Sequence, residues 1–314
     1  MRPFFVSLCL CVFVFHSRAM KSGFVSIVGR PNSGKSTLLN RLVGEKVSIV
    51  THKPQTTRHV VKGIVTRPEG QIVFLDTPGI HKPIHRMNER MMRSMRAAMA
   101  GVDLILFIVD ASAPFGRGEE FALELLNPVS TKKFALLNKI DRIQKHNLLP
   151  IIERYSKNGS FEEIIPIAAL TGENVDQLLA QIFKYLPEGE MFYPPDQISD
   201  QQERAIAAEI IREKVILLTE EELPYSTAVV IDRFDEGDTL YRIYATIYAE
   251  RESQKSILIG KNGQKLKDVG TAARQELEAW FGRKVFLELH VRVKKHWRDD
   301  EDMLRTLGLG EQSQ

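Results

Sequence analysis

Residues Phe24-Val25-Ser26-Ile27-Val28, followed by Gly29-Arg30-Pro31-Asn32-Ser33-Gly34-Lys35-Ser36, decide the reading of this chain. The first five are the apolar, β-branched run of a buried strand. The next eight fit the pattern G-x-x-x-x-G-K-[ST] in full. A helical run, Thr37-Leu38-Leu39-Asn40-Arg41-Leu42, comes directly after. Strand, glycine loop and helix in this order make a phosphate cradle. The glycines let the loop curl so that backbone N–H groups face an anion, and the helix N-terminus adds partial positive charge beside it. Phosphate contacts are expected from Gly29, Asn32, Ser33, Gly34, Lys35, Ser36 and Thr37. Lys35 reaches the β- and γ-phosphate oxygens as a point charge, and the Ser36 hydroxyl is placed to ligate Mg²⁺. The motif specifies a nucleoside triphosphate and leaves the base open.

The base is read from Asn138-Lys139-Ile140-Asp141, about 100 residues further on and directly after the apolar run Phe134 to Leu137. The Asp141 carboxylate can accept two hydrogen bonds, from the N1–H and 2-amino group of guanine. Adenine offers no such pair of donors on that edge, so the discrimination is strong. Asn138 braces the loop, and the Lys139 stem covers the base. Ala168-Ala169-Leu170 follows the strand-like run Glu163 to Ile167, and the Ala169 N–H is expected to meet the guanine O6.

Asp76-Thr77-Pro78-Gly79 lies between these motifs, after the strand-like run Gln71 to Leu75. Asp76 is expected to hold Mg²⁺ through water, and the Gly79 N–H to sense the γ-phosphate. Thr56 and Thr57 are candidates for a Mg²⁺ contact made only while the γ-phosphate is present, with Thr57 favoured. Lys35, Thr57 and Gly79 are thus the catalytic candidates. Ile80 occupies the place where many GTPases carry a water-orienting glutamine. Hydrolysis therefore needs other help, and K⁺ held by Asn32 and switch carbonyls is one candidate.

Residues 187–200, with Pro187, Gly189, Pro194 and Pro195, read as a linker. Gln201 to Leu218 has the apolar spacing of an amphipathic helix. Thr227 to Asp232 and Tyr241 to Tyr248 read as a hairpin turned at Asp235-Glu236-Gly237-Asp238. Then Gly260-Lys261-Asn262-Gly263 forms a G-x-x-G loop between helical segments, of the kind that clamps a nucleic-acid backbone. Between Arg251 and Arg298 there are 12 Lys/Arg and 5 Asp/Glu, a net +7, whereas the whole chain carries +3. The remainder is therefore −4, and the basic surplus sits around that loop, the pattern of a phosphate-backbone binder. RNA contacts are expected from Gly260, Lys261, Asn262, Gly263, Lys265 and Lys267. Trp297 and Phe281 read as core.

Composition, 43% hydrophobic and 26% charged over 314 residues, fits two globular domains. The only cysteines are Cys9 and Cys11, so residues beyond them can form no disulfide and no thiolate metal site. Residues Pro3 to Phe15 are nearly all apolar but too short for the roughly 20 residues a spanning helix needs. Residues 1–19 read either as the product of a mis-set start codon, with Met20 the true start, or as a short hydrophobic leader or anchor.

With these motifs placed, the chain resembles the Era family of bacterial GTPases, which carry a C-terminal KH domain. Beyond the generic motifs, the resemblance rests on Lys53-Pro54-Gln55-Thr56-Thr57-Arg58-His59, on Asp76 through Pro83, on Gly260 through Gly270 to Arg274, and on Val291-Arg292-Val293-Lys294 with Trp297-Arg298-Asp299-Asp300-Glu301. Ala168 departs from the family's usual serine, and residues 1–19 have no counterpart.

The resemblance implies an α/β P-loop GTPase domain with a mostly parallel sheet (21–186), the linker, an α+β type II KH domain (201–303) and a tail (304–314). It also implies GTP and GDP as ligands, Mg²⁺ as cofactor, and binding to the 3′ end of 16S rRNA in small-subunit assembly. The implied setting is the cytoplasm, with peripheral association at the inner face of the membrane, and a monomer is the default state. An RNA chaperone in which hydrolysis is incidental is the competing reading.

Overall fold

The computed structural model describes residues 20–219 and 223–310. The reading of residues 1–19 therefore lies outside the described residues. The first half is a six-stranded sheet in the order β2-β3-β1-β4-β5-β6. Its strands are β1 (Lys21–Val28), β2 (Val61–Arg67), β3 (Gly70–Asp76), β4 (Leu104–Asp110), β5 (Lys133–Asn138) and β6 (Glu163–Pro166). Only β2 runs antiparallel to its neighbour, β3. Helices α1 (Lys35–Val43), α2 (Arg86–Met99), α3 (Arg117–Leu126), α4 (Leu148–Asn158) and α5 (Val175–Tyr185) cover it.

Residues Leu104 to Val109 of β4 are all buried. A continuous apolar run is what a parallel strand covered on both faces requires. One face of the sheet packs with α1 and α5 through Leu38, Leu42, Leu178 and Ile182. The other packs with α2 and α3 through Met92, Met95, Ala122 and Leu126. Such a parallel sheet gathers its loops at the strand C-termini, where ligands bind. All the nucleotide motifs fall there.

The second half follows the order α-β-β-α-α-β. Helix α6 (Glu203–Leu218) leads through the single turn α7 (Leu223–Ser226) to β7 (Ala228–Asp235) and β8 (Leu240–Ala249). Next come α8 (Glu252–Ile259), α9 (Gln264–Phe281) and β9 (Lys284–Val293). Strand β8 pairs antiparallel with β7 and parallel with β9. Along β8, Tyr241, Ile243, Ala245, Ile247 and Ala249 alternate inward. They meet Ile210 and Ile211 of α6 and Val269, Ala273 and Leu277 of α9, which recur at helical spacing. Trp297 is fully buried, and its indole donates to the Ser226 carbonyl at 2.9 Å. Phe281 packs at the edge of the core formed by α6, α9 and β8.

Two segments carry contacts that the sequence does not announce. Residues 304–310, read as a tail, are packed. Helix α10 (Glu301–Thr306), capped by Asp300, carries Met303 and Leu304 into an apolar cluster with Met87 and Met91 of α2. Leu309 joins them, 4% exposed. Burying side chains of this size is worth about 1.5–3 kcal/mol each, enough to hold a short terminal helix. The segment 187–200 is likewise not free. The Gly189 N–H donates to the Met20 carbonyl, and Gln71 Oε1 accepts from the N–H groups of Phe192 and Tyr193 at 2.8 and 2.9 Å. The Ile64 N–H donates to the Ile198 carbonyl. These side-chain and edge contacts have no periodic signature, so composition alone gave a linker.

Candidate nucleotide site and RNA groove

A cavity of about 530 Å³ opens where β1, β3 and β5 end, and P-loop, switch and base-loop residues line it together. Glycine is obligatory at position 34. Its φ is 104°, and a Cβ there would fall 2.2 Å from Asn138 Nδ2. Lys35 is 6% exposed and folds back on the loop, donating to the Gly29 and Arg30 carbonyls at 3.3 and 3.0 Å. Burial lowers its pKa to about 8, and nearby Asp76 opposes that shift. A phosphate would supply the negative charge that this buried ammonium lacks.

The three expected Mg²⁺ residues converge. Ser36 Oγ lies 2.6 Å from Asp76 Oδ2 and 2.9 Å from Thr57 Oγ1. Thr56 turns away, bonded to Thr51 Oγ1 at 2.7 Å and to the Lys53 carbonyl at 2.8 Å. Sequence reasoning missed Ser48, which donates to Asp76 Oδ2 at 3.1 Å. The Asn40 side chain fixes it, accepting from the Ser48 N–H and donating to the Ser48 carbonyl. Asp76 is fully buried, and burial pushes its carboxyl above the ordinary range. Its Oδ1 has no partner. An orphaned buried carboxylate oxygen among hydroxyls is a hard-oxygen donor set that fits Mg²⁺.

The base end is a brace of long-range bonds. Asn138 Nδ2 donates to the Ser33 carbonyl at 2.8 Å, and Asn138 Oδ1 accepts the Ala169 N–H at 2.9 Å. The Ala169 N–H, expected at the guanine O6, is thus bonded to Asn138, and Ala169 lines the cavity beside Asp141. Lys139 sits at φ 67° and bridges Asp110 Oδ2 at 2.6 Å and the Asn32 carbonyl at 2.8 Å. Burial works against ionised Asp110, but hydrogen bonds from Lys139 and Ser112 hold its carboxyl below the ordinary range. Asp141 lines the cavity from a single turn of 3₁₀ helix. Arg41 donates to the carbonyls of Ala169 and Leu170, fixing the last loop from beneath.

On the hydrolysis side, Gly79 lines the cavity and Ile80 does not. Ile80 is 2% exposed and packs with Val28, Met92 and Met95. Asn32 Nδ2 donates to the His52 carbonyl at 2.9 Å, so the P-loop asparagine touches the switch backbone.

A second cavity, of about 470 Å³, runs between α9 and β9. Of the six expected RNA residues, Gly263 and Lys267 line it. Gly260, Lys261 and Asn262 form the loop at its end, with φ 72° at Gly260 and 52° at Asn262. Lys265 does not line it, and a Cβ on Gly260 would fall 2.6 Å from Lys265 Cβ. Thr271, Arg274 and Phe286 line it and were missed. Phe286, 45% exposed, is an aromatic on a strand face that alternation alone cannot tell from core.

Comparison with known proteins agrees with this geometry. A family model described as "50S ribosome-binding GTPase" matches residues 24–139, and one described as "KH domain" matches residues 222–298. The GTPase Era of Staphylococcus haemolyticus (strain JCSC1435) is 50% identical over 289 residues, 92% of this chain and 97% of the relative. A crystal structure of an Aquifex aeolicus Era variant bound to GDP·AlF4⁻ matches with TM-score 0.88 and 45% identity, covering 93% of this chain and 100% of that one. Era in complex with MgGDPNP and nucleotides 1506–1542 of 16S ribosomal RNA matches with TM-score 0.89 and 45% identity, covering 93% and 99%.

Proposed function

This chain belongs to the Era family of GTPases, and on that premise we propose that its nucleotide state governs the grip of its KH domain on the 3′ end of 16S rRNA during small-subunit assembly. The chain is a GTPase with a KH domain. The observation that carries the further reading is the physical joining of the two domains through the helix that follows the switch loop. Helix α2, which follows the γ-phosphate glycine, buries Met87 and Met91 against Trp297, Leu304 and Leu309 of the second half. The relative whose two-domain structure this chain matches was captured with MgGDPNP and 16S rRNA together.

In this reading Lys35 neutralises β- and γ-phosphate charge, and the P-loop amides fix the leaving group. Ser36 and Thr57 would hold Mg²⁺ directly, and Asp76 would hold it through water. The ion supplies charge stabilisation on the β- and γ-oxygens. Asp141 selects guanine, while Asn138 and Lys139 hold the base loop against the P-loop. Ile80 is locked in apolar packing, so no side chain there orients the water. Asn32 and switch carbonyls would hold a potassium ion, which would supply the positive charge that an arginine finger supplies elsewhere.

In the groove, Lys267 and Arg274 meet phosphates and Phe286 stacks a base. The setting is cytoplasmic, with peripheral membrane association through the same basic face, and the chain acts as a monomer. No helix among the described residues is long and apolar enough to cross a membrane.

The test is GTP hydrolysis with and without a 3′-terminal 16S rRNA fragment, in potassium and in sodium. Stimulation by the fragment supports the coupled switch. Unchanged hydrolysis, with equal RNA affinity in GDP and GTP-analogue states, favours the chaperone reading. Equal rates in the two salts remove potassium.

A further inference from the structure

Gly79 has no side chain to fix its backbone, and it can have none. A Cβ there would fall 2.8 Å from both Pro31 Cγ and Pro31 N. Its orientation must therefore come from hydrogen bonds to the flanking peptides. The peptide joining Gly79 to Ile80 is held at both edges. Its N–H donates to the Gly29 carbonyl at 2.9 Å. Its carbonyl lies 2.6 Å from His81 Nδ1.

The other ring nitrogen, His81 Nε2, lies 2.7 Å from Asn88 Nδ2. An amide nitrogen only donates, so Nε2 accepts, and a neutral ring then carries its proton on Nδ1. That Nδ1–H points at the Gly79 carbonyl. Asn88 is 3% exposed on the first turn of α2. Met87 precedes it on that turn, and Arg90 and Met91 begin the next. Arg90 donates to the Leu309 carbonyl at 2.6 Å. One imidazole thus links the P-loop-facing glycine to the helix that the KH half grips.

We propose that His81 is a positioning residue for the γ-phosphate contact. It holds the Gly79–Ile80 peptide and so restricts the backbone at Gly79, whose own N–H, in the preceding peptide, faces the γ-phosphate; it ties that conformation through Asn88 to α2. The inference rests on the reading of Gly79 given above. His81 touches no reacting atom, so its effect is confined to nucleotides that bear a γ-phosphate.

The two ring nitrogens can be tested apart. Asparagine at position 81 places an amide N–H near the Nδ1 position and nothing near Nε2. Glutamine places its amide near Nε2 and leaves the Gly79 carbonyl without a donor. The affinities of Mg²⁺-GDP and a Mg²⁺-bound nonhydrolysable GTP analogue, kcat, KM and melting temperature are measured for His81→Ala, His81→Asn and His81→Gln.

His81→Ala should lose about tenfold in both kcat and analogue affinity, the worth of one well-placed hydrogen bond. Its GDP affinity should stay within about twofold. His81→Asn should recover most of the loss, and His81→Gln should remain as poor as His81→Ala. Equal loss for both nucleotides, recovery by glutamine as good as by asparagine, or a wild-type His81→Ala each overturn the proposal. Gly79→Ala separates the two layers. If it keeps the wild-type preference for the analogue over GDP, the reading of Gly79 falls. If it loses that preference while His81→Ala keeps it, only the role of His81 falls.

Discussion

Arg90 Nη1 donates to the Leu309 carbonyl at 2.6 Å. Arg90 also pairs with Glu301. It is 6% exposed on α2, and Leu309 lies beyond the last helix of the KH half. A buried guanidinium on a switch helix thus depends on the far end of the chain for its partners. Arg90→Ala should cost about 1.5–3 kcal/mol of interdomain stability, the range for hydrogen bonds to charged groups. The check is hydrogen exchange: amides of residues 301–309 should lose protection while the β4 amides keep theirs.

Thr57 and Thr56 are adjacent yet face different partners. Thr57→Ala should reduce GTP hydrolysis at least about tenfold and weaken Mg²⁺ dependence, as loss of a transition-state interaction does. Thr56→Ala should change either by less than about threefold, because its hydroxyl only bonds locally. A Mg²⁺ titration of hydrolysis on both variants decides between them.

Gly34→Ala should nearly abolish guanine-nucleotide binding without unfolding the sheet. Its methyl group would meet Asn138 Nδ2 at 2.2 Å, breaking the bond that joins the P-loop to the base loop. Fluorescent GDP binding should fall at least about a hundredfold, since both loops lose register. A preserved far-ultraviolet circular dichroism spectrum would separate this effect from misfolding.

Asp300 caps α10 by accepting the Met303 N–H at 2.8 Å. The Lys294 hydrogen bond, with that cap bond, holds its carboxyl below the ordinary range. A depressed carboxylate stabilises the fold above its unfolded value, near pH 3.8. That contribution is lost as pH falls through the lower folded value. Asp300→Ala should cost about 1 kcal/mol through loss of the cap, and Asp300→Asn should keep most of it. Thermal melts at neutral pH test the cap. The wild-type advantage over Asp300→Asn, which retains the cap but not the charge, should shrink below about pH 4.

In the KH groove, Lys267→Ala should lower the salt dependence of RNA binding by about one counterion. Phe286→Ala should weaken binding by about 1–3 kcal/mol with little change in that slope. Binding isotherms of a single-stranded 3′-terminal 16S fragment at several salt concentrations test both.

Much of the nucleotide site is legible in the sequence because its motifs are contiguous and each follows an apolar strand. Lys35, Ser36, Asp76 and Asn138 could be placed that way. What stayed hidden depends on residues far apart in the chain. The partners of Asn138, namely Ser33 and Ala169, are joined only when three strands align. Ser48 lies in a loop without periodicity. Residues 304–310 show too few apolar positions for a pattern, yet they find Met87 and Met91 across the interface. The sequence places a helical segment after the Gly260–Gly263 loop, but not that α9 faces a groove with Phe286.

The fastening of residues 188–199 along the first sheet has a further consequence. Ser199 Oγ donates to the Lys62 carbonyl at 2.8 Å, and α6 begins at Glu203. The tether left to the KH domain is therefore only residues 200–202, about 10 Å when fully extended. A domain on so short a leash keeps a high effective concentration against its partner face. Were its contacts with α2, Lys46, Thr56 and Arg58 broken, it would stay near that face, and its return would be a local reorientation rather than a search through solvent.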